Sequence, residues 1–154
     1  MSDPTIPMRR AAPGDVAALR AVQQAAFAWN REILGVEPLP LLADYGEVVA
    51  TKECWLAEDN GLVQGAIILE PEGEALLVWS VAVVPERQGA KLGRHLMDFA
   101  EDRAREQGFG ALTLYTGEKL QKNIDWYQRL GFSISGIEAL ADRNIVHMRK
   151  PVSA

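Results

Sequence analysis

The sequence is poor in the residues that form covalent or metal cross-links. It has one cysteine, Cys54, so an internal disulfide and a multi-cysteine metal site are excluded. Its two histidines, His95 and His147, are far apart in the chain, and the motifs H-E-x-x-H, C-x-x-C and G-x-S-x-G do not occur. We therefore expect no metal. Cys54 lies in an apolar run beside Trp55, and we expect it in the core rather than as an acylated nucleophile.

Positive charge and long apolar runs are also scarce. The 16 basic and 21 acidic residues are interspersed and give a net charge of −5, which disfavours a nucleic-acid or anionic-membrane partner. No apolar run approaches the roughly 18 residues that span a bilayer. The segment after Arg9-Arg10 contains Asp15 and Arg20 and so lacks the apolar core of a signal peptide. We expect one cytoplasmic domain over residues 1–154, with its core at about 6–150.

The most informative stretch reads LLVWSVAVVPERQGAKLGRHLM. Its first nine residues, Leu76–Val84, are almost all apolar and predict a strand buried on both faces. A turn that contains Gly89 and Gly93 follows and leads into a helical pattern. Strand, glycine turn and helix N-terminus together form an anion site, because free backbone N–H groups and the positive end of the helix dipole point outward. Lys91 and Arg94 add positive charge nearby.

The spacing of these glycines excludes two familiar phosphate sites. Three residues separate Gly89 from Gly93, whereas a P-loop has four and continues with Lys-Ser/Thr. The dinucleotide fingerprint G-x-G-x-x-G is absent. A turn of this kind also occurs as a purely structural element, so this stretch alone leaves both roles open.

A second motif, LQKNIDWYQRLGF, lies about 30 residues further on. Its apolar spacing predicts a helix that Gly131 closes. Asn123 and Tyr127 are four residues apart and therefore lie on one face of that helix. Taken alone, this motif favours a core aromatic at Tyr127 beside Trp126, with Asn123 simply exposed.

Hydrophobic periodicity and turn residues predict the remaining elements. The further strands are Ile6–Arg10, Cys54–Ala57, Leu62–Leu69, Ala111–Thr116, Ser133–Leu140 and Asn144–Arg149. The helices are Val16 to Asn30, a short one at Leu41–Tyr45, Gly89 to Gln107, and one within Glu118–Leu130. A helix between the strand at Leu76–Val84 and the next strand implies a right-handed parallel crossover, and strands that diverge there would leave a cleft.

The two motifs together resemble those of the GNAT superfamily, the acyl-CoA-dependent N-acetyltransferases. Its pyrophosphate loop, Gln/Arg-x-x-Gly-x-Gly/Ala, is matched by Gln88-Gly89-Ala90-Lys91-Leu92-Gly93, with Lys91 in place of the middle glycine. The Lys91 ammonium either contacts phosphate or, as we expect, faces solvent. The Asn-x-x-x-Tyr motif with its Leu-Gly-Phe ending is matched by Asn123, Tyr127 and Leu130-Gly131-Phe132. The resemblance covers Ile6 to Lys150.

The resemblance implies a three-layer α+β (αβα) fold. It has a mixed, mostly antiparallel sheet of about seven strands, about four helices, and the acetyl-CoA cleft between the fourth and fifth strands. The implied activity is transfer of an acetyl group from acetyl-CoA to a primary amine of a small molecule or peptide, by direct attack in a ternary complex. The residues implied to bind acetyl-CoA are Val81, Ala82, Val83, Gln88, Gly89, Ala90, Lys91, Leu92, Gly93, Arg94, Asn123 and Tyr127.

The resemblance also implies that Tyr127 is the general acid for the departing thiolate. A phenol has a pKa of about 10 and a thiol one of about 8.5, so the phenol is protonated at pH 7. A base is not evident, because Trp79 and Ser80 stand where many relatives have Asp, Glu or Asn. An ordered water, Glu70 or Glu74 remain candidates. The absence of this carboxylate and the presence of Lys91 in the loop favour an alternative, a non-catalytic acyl-CoA-binding sensor or regulatory protein.

The acceptor side carries no motif of its own. In the resembling family, the region between the first helix and the second strand helps to shape the acceptor pocket. The residues expected to bind the acceptor are Trp29, Tyr45, Trp79 and His147. The sequence leaves open whether the acceptor is a peptide, a polyamine, an amino acid or an antibiotic, and whether the chain forms a homodimer.

Overall fold

The computed structural model describes residues 6–89 and 91–153, which form a seven-stranded sheet in the order β1-β2-β3-β4-β5-β7-β6. Every neighbouring pair is antiparallel except β4 and β5, which are parallel. The strands are β1 Met8–Arg10, β2 Glu53–Asp59, β3 Leu62–Glu72, β4 Ala75–Val83, β5 Ala111–Gly117, β6 Ser133–Ala139 and β7 Asn144–Pro151. The predicted mixed, mostly antiparallel sheet is confirmed.

Helices cover both faces of the sheet. In the described residues they are α1 Val16–Phe27, α2 Asn30–Leu34, α3 Tyr45–Thr51, α4 Leu92–Glu106 and α5 Gln121–Arg129. Leu19 of α1 and Val48 of α3 belong to the core on one face, whereas Leu96 of α4 and Ile124 of α5 belong to the core on the other. The predicted three-layer α+β architecture is therefore confirmed.

The helix predicted at Leu41–Tyr45 is displaced in the structure. Leu39–Leu42 forms a 3₁₀ turn, and α3 begins only at Tyr45. Asp44 caps this helix, because its Oδ1 accepts hydrogen bonds from the backbone N–H groups of Gly46 at 2.9 Å and Glu47 at 3.3 Å. An N-cap aspartate that satisfies two first-turn donors fixes where a helix starts more strongly than the apolar spacing does.

The two parallel strands separate soon after they begin. β4 pairs with β5 only at Leu76–Leu112 and Leu77–Thr113. The pairing of β4 with β3 continues to Val83, with a bulge that adds one residue, Trp79, to β4. One edge of β4 thus has no partner strand beyond Leu77, and a cleft opens there.

The position of α4 beside this cleft is fixed by a carboxylate on β2. Glu53 accepts hydrogen bonds from Arg103 Nε at 2.6 Å, Trp55 Nε1 at 2.7 Å and Gln107 Nε2 at 2.8 Å. Burial raises the pKa of Glu53, but these three donors together outweigh it and lower the pKa to about 2. The ionised Glu53 therefore ties the C-terminal end of α4 to the sheet at neutral pH.

Two further features concern the described residues only. None of their helices combines the length and apolar character needed to cross a bilayer. Cys54 is fully buried among α1, α3 and the sheet, and burial raises the pKa of its thiol to about 11. A thiol that stays protonated and has no access to solvent is a core residue, as predicted.

Candidate active site

Two adjoining cavities lie where β4 and β5 separate. The outer cavity, of about 960 Å³, is lined by Ala26, Phe27, Trp29, Asn30, Val81, Val83, Gln88, Gly89, Lys91, Gly93, Arg94, Asn123, Trp126 and Tyr127. The inner cavity, of about 90 Å³, has mainly apolar walls from α1, α2, β4, β5 and β7. Its polar lining residues are Asn30, Ser80, Tyr115, Thr116, Asn123, Tyr127 and Arg143.

The two cavities share a wall. Val81 of β4 and both motif residues of α5, Asn123 and Tyr127, line the inner as well as the outer cavity. Phe27 and Asn30 close the shared wall from the opposite side. The structure thus brings the central strand and the second sequence motif together at one junction.

The free edge of β4 presents backbone groups to the cleft. The N–H of Val84 donates to Gln64 O on β3 at 3.0 Å. Because successive backbone groups of a strand point in opposite directions, the N–H groups of Val83 and Val81 point away from β3, towards the cleft. The carbonyl of Val83 points the same way, since it accepts a hydrogen bond from Gln88 Nε2 at 3.0 Å.

The glycine turn and the start of α4 form the rim of the outer cavity. Lys91 occupies the N-cap position, and its side chain does not cap the helix. The N–H groups of the first turn of a helix have no intrahelical acceptor, and here no Lys91 side chain satisfies them. Together with the positive end of the helix dipole, they suit an anionic group. Lys91 has φ +66°, so it keeps the left-handed conformation that a glycine would adopt freely at this position.

Gly93 lines the outer cavity and also lies against an aromatic ring. A Cβ atom at Gly93 would lie 3.2 Å from Cζ2 and 3.3 Å from Cη2 of Trp126. A side chain at this position would therefore press on the indole of α5. Sequence reasoning missed Trp126, although its position three residues after Asn123 places both on one face of α5.

Replacing Lys91 with glycine is expected to stabilise the protein. The substitution removes the cost of about 1–2 kcal/mol that a non-glycine residue carries in the left-handed region, which corresponds to a rise in Tm of a few degrees. The affinity for CoA should stay the same or increase, because the Lys91 side chain is exposed. Differential scanning calorimetry and titration calorimetry measure the two effects.

A matched control for this prediction lies on α5. Lys122 is also exposed but lies within a helix, so Lys122→Gly should lower stability by up to about 1 kcal/mol. A Lys91→Gly variant that melts lower than the wild type would contradict the argument from backbone conformation. A clear loss of CoA affinity would instead show that the ammonium contacts phosphate.

Tyr127 lies at the junction with its hydroxyl accessible to the cavities. The residue is 9% exposed, and its ring contacts Trp126 and Phe132 at centroid distances of 5.1 and 5.9 Å. Burial raises the pKa of Tyr127 above its ordinary value, so the phenol is protonated at neutral pH. This arrangement suits a proton donor.

The other predicted CoA-binding residues fall into three groups. Val81, Val83, Gln88, Gly89, Lys91, Gly93, Arg94 and Asn123 line the outer cavity. The side chains of Ala82 and Leu92 are buried in the two core clusters, so these residues could contact CoA only through their backbone groups. Ala90 lies outside the described residues.

Of the four residues predicted to bind the acceptor, two line a cavity in the structure. Trp79 lies on the wall of the inner cavity, and Trp29, which is 70% exposed, lies on the outer one. Tyr45 is 2% exposed and is a core residue, which corrects the prediction. The ring of His147 lies 5.8 Å from that of the cavity-lining Tyr115, tilted by 55°, and its Nε2 lies 2.8 Å from Glu138 Oε1.

Tyr45 supports the inner cavity from behind. Its hydroxyl donates to Pro40 O and accepts from Gln23 Nε2 at 2.8 Å. Gln23 Nε2 also donates to Ser80 Oγ at 2.9 Å. Because the Ser80 hydroxyl accepts this hydrogen bond, its own proton is free to point into the inner cavity. Burial raises the pKa of Tyr45 to about 12, so it stays a neutral donor.

The described walls of the two cavities offer no carboxylate as a general base. Among the described residues that line either cavity, none is aspartate, glutamate or histidine. Glu70, one candidate from the sequence, forms an ion pair with Lys52, and the lysine Nζ lies 5.6 Å above the ring of Trp79. Glu74 lies in the turn between β3 and β4 and is exposed. Neither Glu70 nor Glu74 is among the described residues that line the inner or the outer cavity.

Comparison with known proteins supports one family. The model of the Acetyltransferase (GNAT) family matches residues 17–132. The chain is 31% identical over 96 residues to "Probable N-acetyltransferase camello" of Xenopus tropicalis, which covers 60% of this chain and 43% of that protein. It is 38% identical over 72 residues to "IAA acetyltransferase" of Azospirillum brasilense, which covers 47% of each. The chain thus spans less than half the length of these curated relatives.

Among solved structures, the fold is similar to that of the PaiA N-acetyltransferase of Thermoplasma acidophilum in complex with coenzyme A. The TM-score is 0.77 at 17% identity, with 94% of this chain and 98% of that chain covered. A match at this identity supports the fold alone. Since the family model covers well over half of the sequence, the chain belongs to the acetyltransferase (GNAT) family.

Proposed function

We propose that this protein transfers an acetyl group from acetyl-CoA to a primary amine of a small molecule or peptide, by direct attack in a ternary complex. The observation that carries the proposal is the shared wall of the two cavities, where Val81, Asn123 and Tyr127 meet. A two-substrate transfer needs two binding spaces that meet at the reacting atoms, which this arrangement supplies.

The outer cavity fits CoA in shape and charge. The open first turn of α4 and the exposed glycine turn are suited to the pyrophosphate, and Arg94 adds positive charge at the same rim, whereas the Lys91 side chain is expected to face solvent. The free edge of β4 is suited to the pantetheine arm, because an extended chain with amide groups pairs with an unpaired strand edge. The N–H groups of Val81 and Val83 would then polarise the thioester carbonyl.

The residues at the junction account for the proton transfers. Acetyl-CoA supplies the thioester, and the amine nitrogen forms a bond to its carbonyl carbon while the carbon–sulfur bond breaks. Tyr127 donates its phenolic proton to the departing sulfur and regains one from solvent. Because no described lining residue is a carboxylate or histidine, we propose that water accepts the proton that the amine loses.

The test measures binding and turnover separately. Titration calorimetry with CoA checks the outer cavity, and release of free thiol from acetyl-CoA in the presence of a panel of amines checks the reaction. Amine-dependent thiol release with formation of the N-acetyl product is the expected result. CoA binding without any turnover would support a non-catalytic acyl-CoA sensor instead, and failure to bind CoA would overturn both.

A further inference from the structure

We propose that Arg143 binds a carboxylate in the inner cavity, so that the acceptor is an amine that also carries a carboxylate on a small apolar body, such as an apolar amino acid. This inference rests on the proposed function, because it names the acceptor class of the same site. It starts from the unusual position of Arg143, which precedes β7 in a short connection yet lines the inner cavity.

The guanidinium of Arg143 is buried to a degree that is rare for arginine. Its side chain is only 6% exposed. A buried guanidinium is costly unless its N–H groups find acceptors. No Arg143 nitrogen is among the fully buried, unpartnered atoms of the described residues, so a nitrogen without a protein acceptor faces space that water or a ligand can occupy.

One edge of the guanidinium is already occupied. Nε donates to Asp142 Oδ1 at 2.9 Å and Nη2 donates to Asp142 Oδ2 at 3.0 Å. Asp142 is 53% exposed and so holds the guanidinium from the solvent side. Nη1 forms no hydrogen bond within residues 6–89 and 91–153. The end formed by Nη1 and the second N–H of Nη2 is thus a fork that matches the two oxygens of a carboxylate.

The charge of the inner cavity points the same way. Among the described residues of its wall, Arg143 is the only one with a charged side chain. A polyamine or another purely cationic acceptor would find no carboxylate on these described walls and would meet the free end of a guanidinium, whereas a carboxylate would accept hydrogen bonds from that end. Electrostatic mismatch of this kind excludes wrong partners more effectively than it tightens right ones.

The remaining walls set the size and polarity of the acceptor. Leu34, Leu39, Val78, Leu114 and Ile145 give the cavity apolar surfaces, and its volume of about 90 Å³ is suited to a small side chain. With the carboxylate on Arg143 at the wall and the amine at the junction beside Tyr127, a small amino acid would use every part of the lining. The acceptor class follows from these three features together.

The experiment compares acceptors that differ only in the carboxylate. L-leucine with 3-methylbutylamine, L-phenylalanine with 2-phenylethylamine, and 5-aminopentanoate with butylamine form three matched pairs. Binding to the CoA-saturated protein is measured by calorimetry and acetylation by thiol release, for the wild type, Arg143→Gln, Arg143→Lys and the control Arg149→Gln. Arg149 is exposed on β7, and it is absent from the described walls of both cavities.

We expect at least one acid to bind and react 10- to 100-fold better than its amine partner. Arg143→Gln should remove this preference, Arg143→Lys should restore part of it, and Arg149→Gln should leave it unchanged. Acetylation of amines without any carboxylate preference would overturn this inference and leave the transferase intact. Arg143-dependent binding of an acid without turnover would support the carboxylate site and overturn the proposed transferase activity. Absence of binding by all three acids would overturn the inference.

Discussion

Replacing Tyr127 with phenylalanine is expected to lower kcat by 10- to 1,000-fold at saturating acetyl-CoA. The change removes one oxygen at the junction of the two cavities and keeps the ring that packs on Trp126 and Phe132. Loss of a positioned proton donor is typically worth 10²–10⁴-fold, and water replaces part of it. Affinity for CoA and Tm should change little.

The raised pKa of Tyr127 is compatible with this role. Burial opposes the charged phenolate, and the same dry surroundings oppose the charged thiolate that leaves from acetyl-CoA. Donor and acceptor therefore shift in the same direction, and the proton transfer keeps its driving force. The measurement is kcat with an identified acceptor, beside the melting temperatures of both proteins.

Tyr45→Phe is the matched control for Tyr127→Phe. Its hydroxyl bonds only to protein groups, and its loss would leave one N–H of Gln23 and the carbonyl of Pro40 without this partner, while the bond from Gln23 to Ser80 would remain. We expect a loss of about 1–3 kcal/mol in the free energy of unfolding, with a smaller effect on kcat. If Tyr127→Phe turned over as fast as the wild type with chemistry rate-limiting, Tyr127 would not be the acid.

A carboxylate at position 89 is expected to weaken CoA binding by 10- to 100-fold. Gly89 lines the outer cavity with φ +86°, and a Cβ atom there would meet nothing within 4 Å, so the side chain of Gly89→Asp can be accommodated beside the pyrophosphate. The new negative charge would repel the phosphates, and salt should reduce the loss by screening. Titration calorimetry at two ionic strengths measures both effects.

Two controls separate charge from backbone strain at Gly89. Gly89→Asn carries the same strain in the left-handed region without the charge, and asparagine tolerates that region best among non-glycine residues. Gly73→Asp combines the same charge with φ +61° in the turn between β3 and β4, which does not line the outer cavity. Equal CoA affinity of Gly89→Asp and the wild type would rule out this turn as the phosphate site.

Gly93→Asp would be a poor test of the same idea. Gly93 lies in the same turn and lines the same cavity. A side chain there would press on the indole of Trp126, so a loss of affinity would report on α4–α5 packing as well as on repulsion of the phosphates. Residue spacing in the sequence thus identifies the glycine turn, but it does not show which neighbour each glycine contacts.

Local sequence determined most of the elements and the family. The apolar run at β4, the turns and the helix ends predict the strand order up to the crossover, because hydrophobic period and turn chemistry act over a few residues. The two motifs supplied Gln88, Gly89, Asn123 and Tyr127, all of which line the outer cavity.

Tertiary structure alone decided which side chains reach the site. Ala82 and Leu92 belong to the right segments but face the core, because the pleat and the helix turn direct them inward. Tyr45 and Arg143 lie outside both motifs, and Trp126 lies within the second motif without being one of its matched residues. The positions of all three depend on contacts between elements distant in the chain. Arg143 enters the inner cavity only because β7 packs beside β5, a long-range pairing that no local pattern encodes.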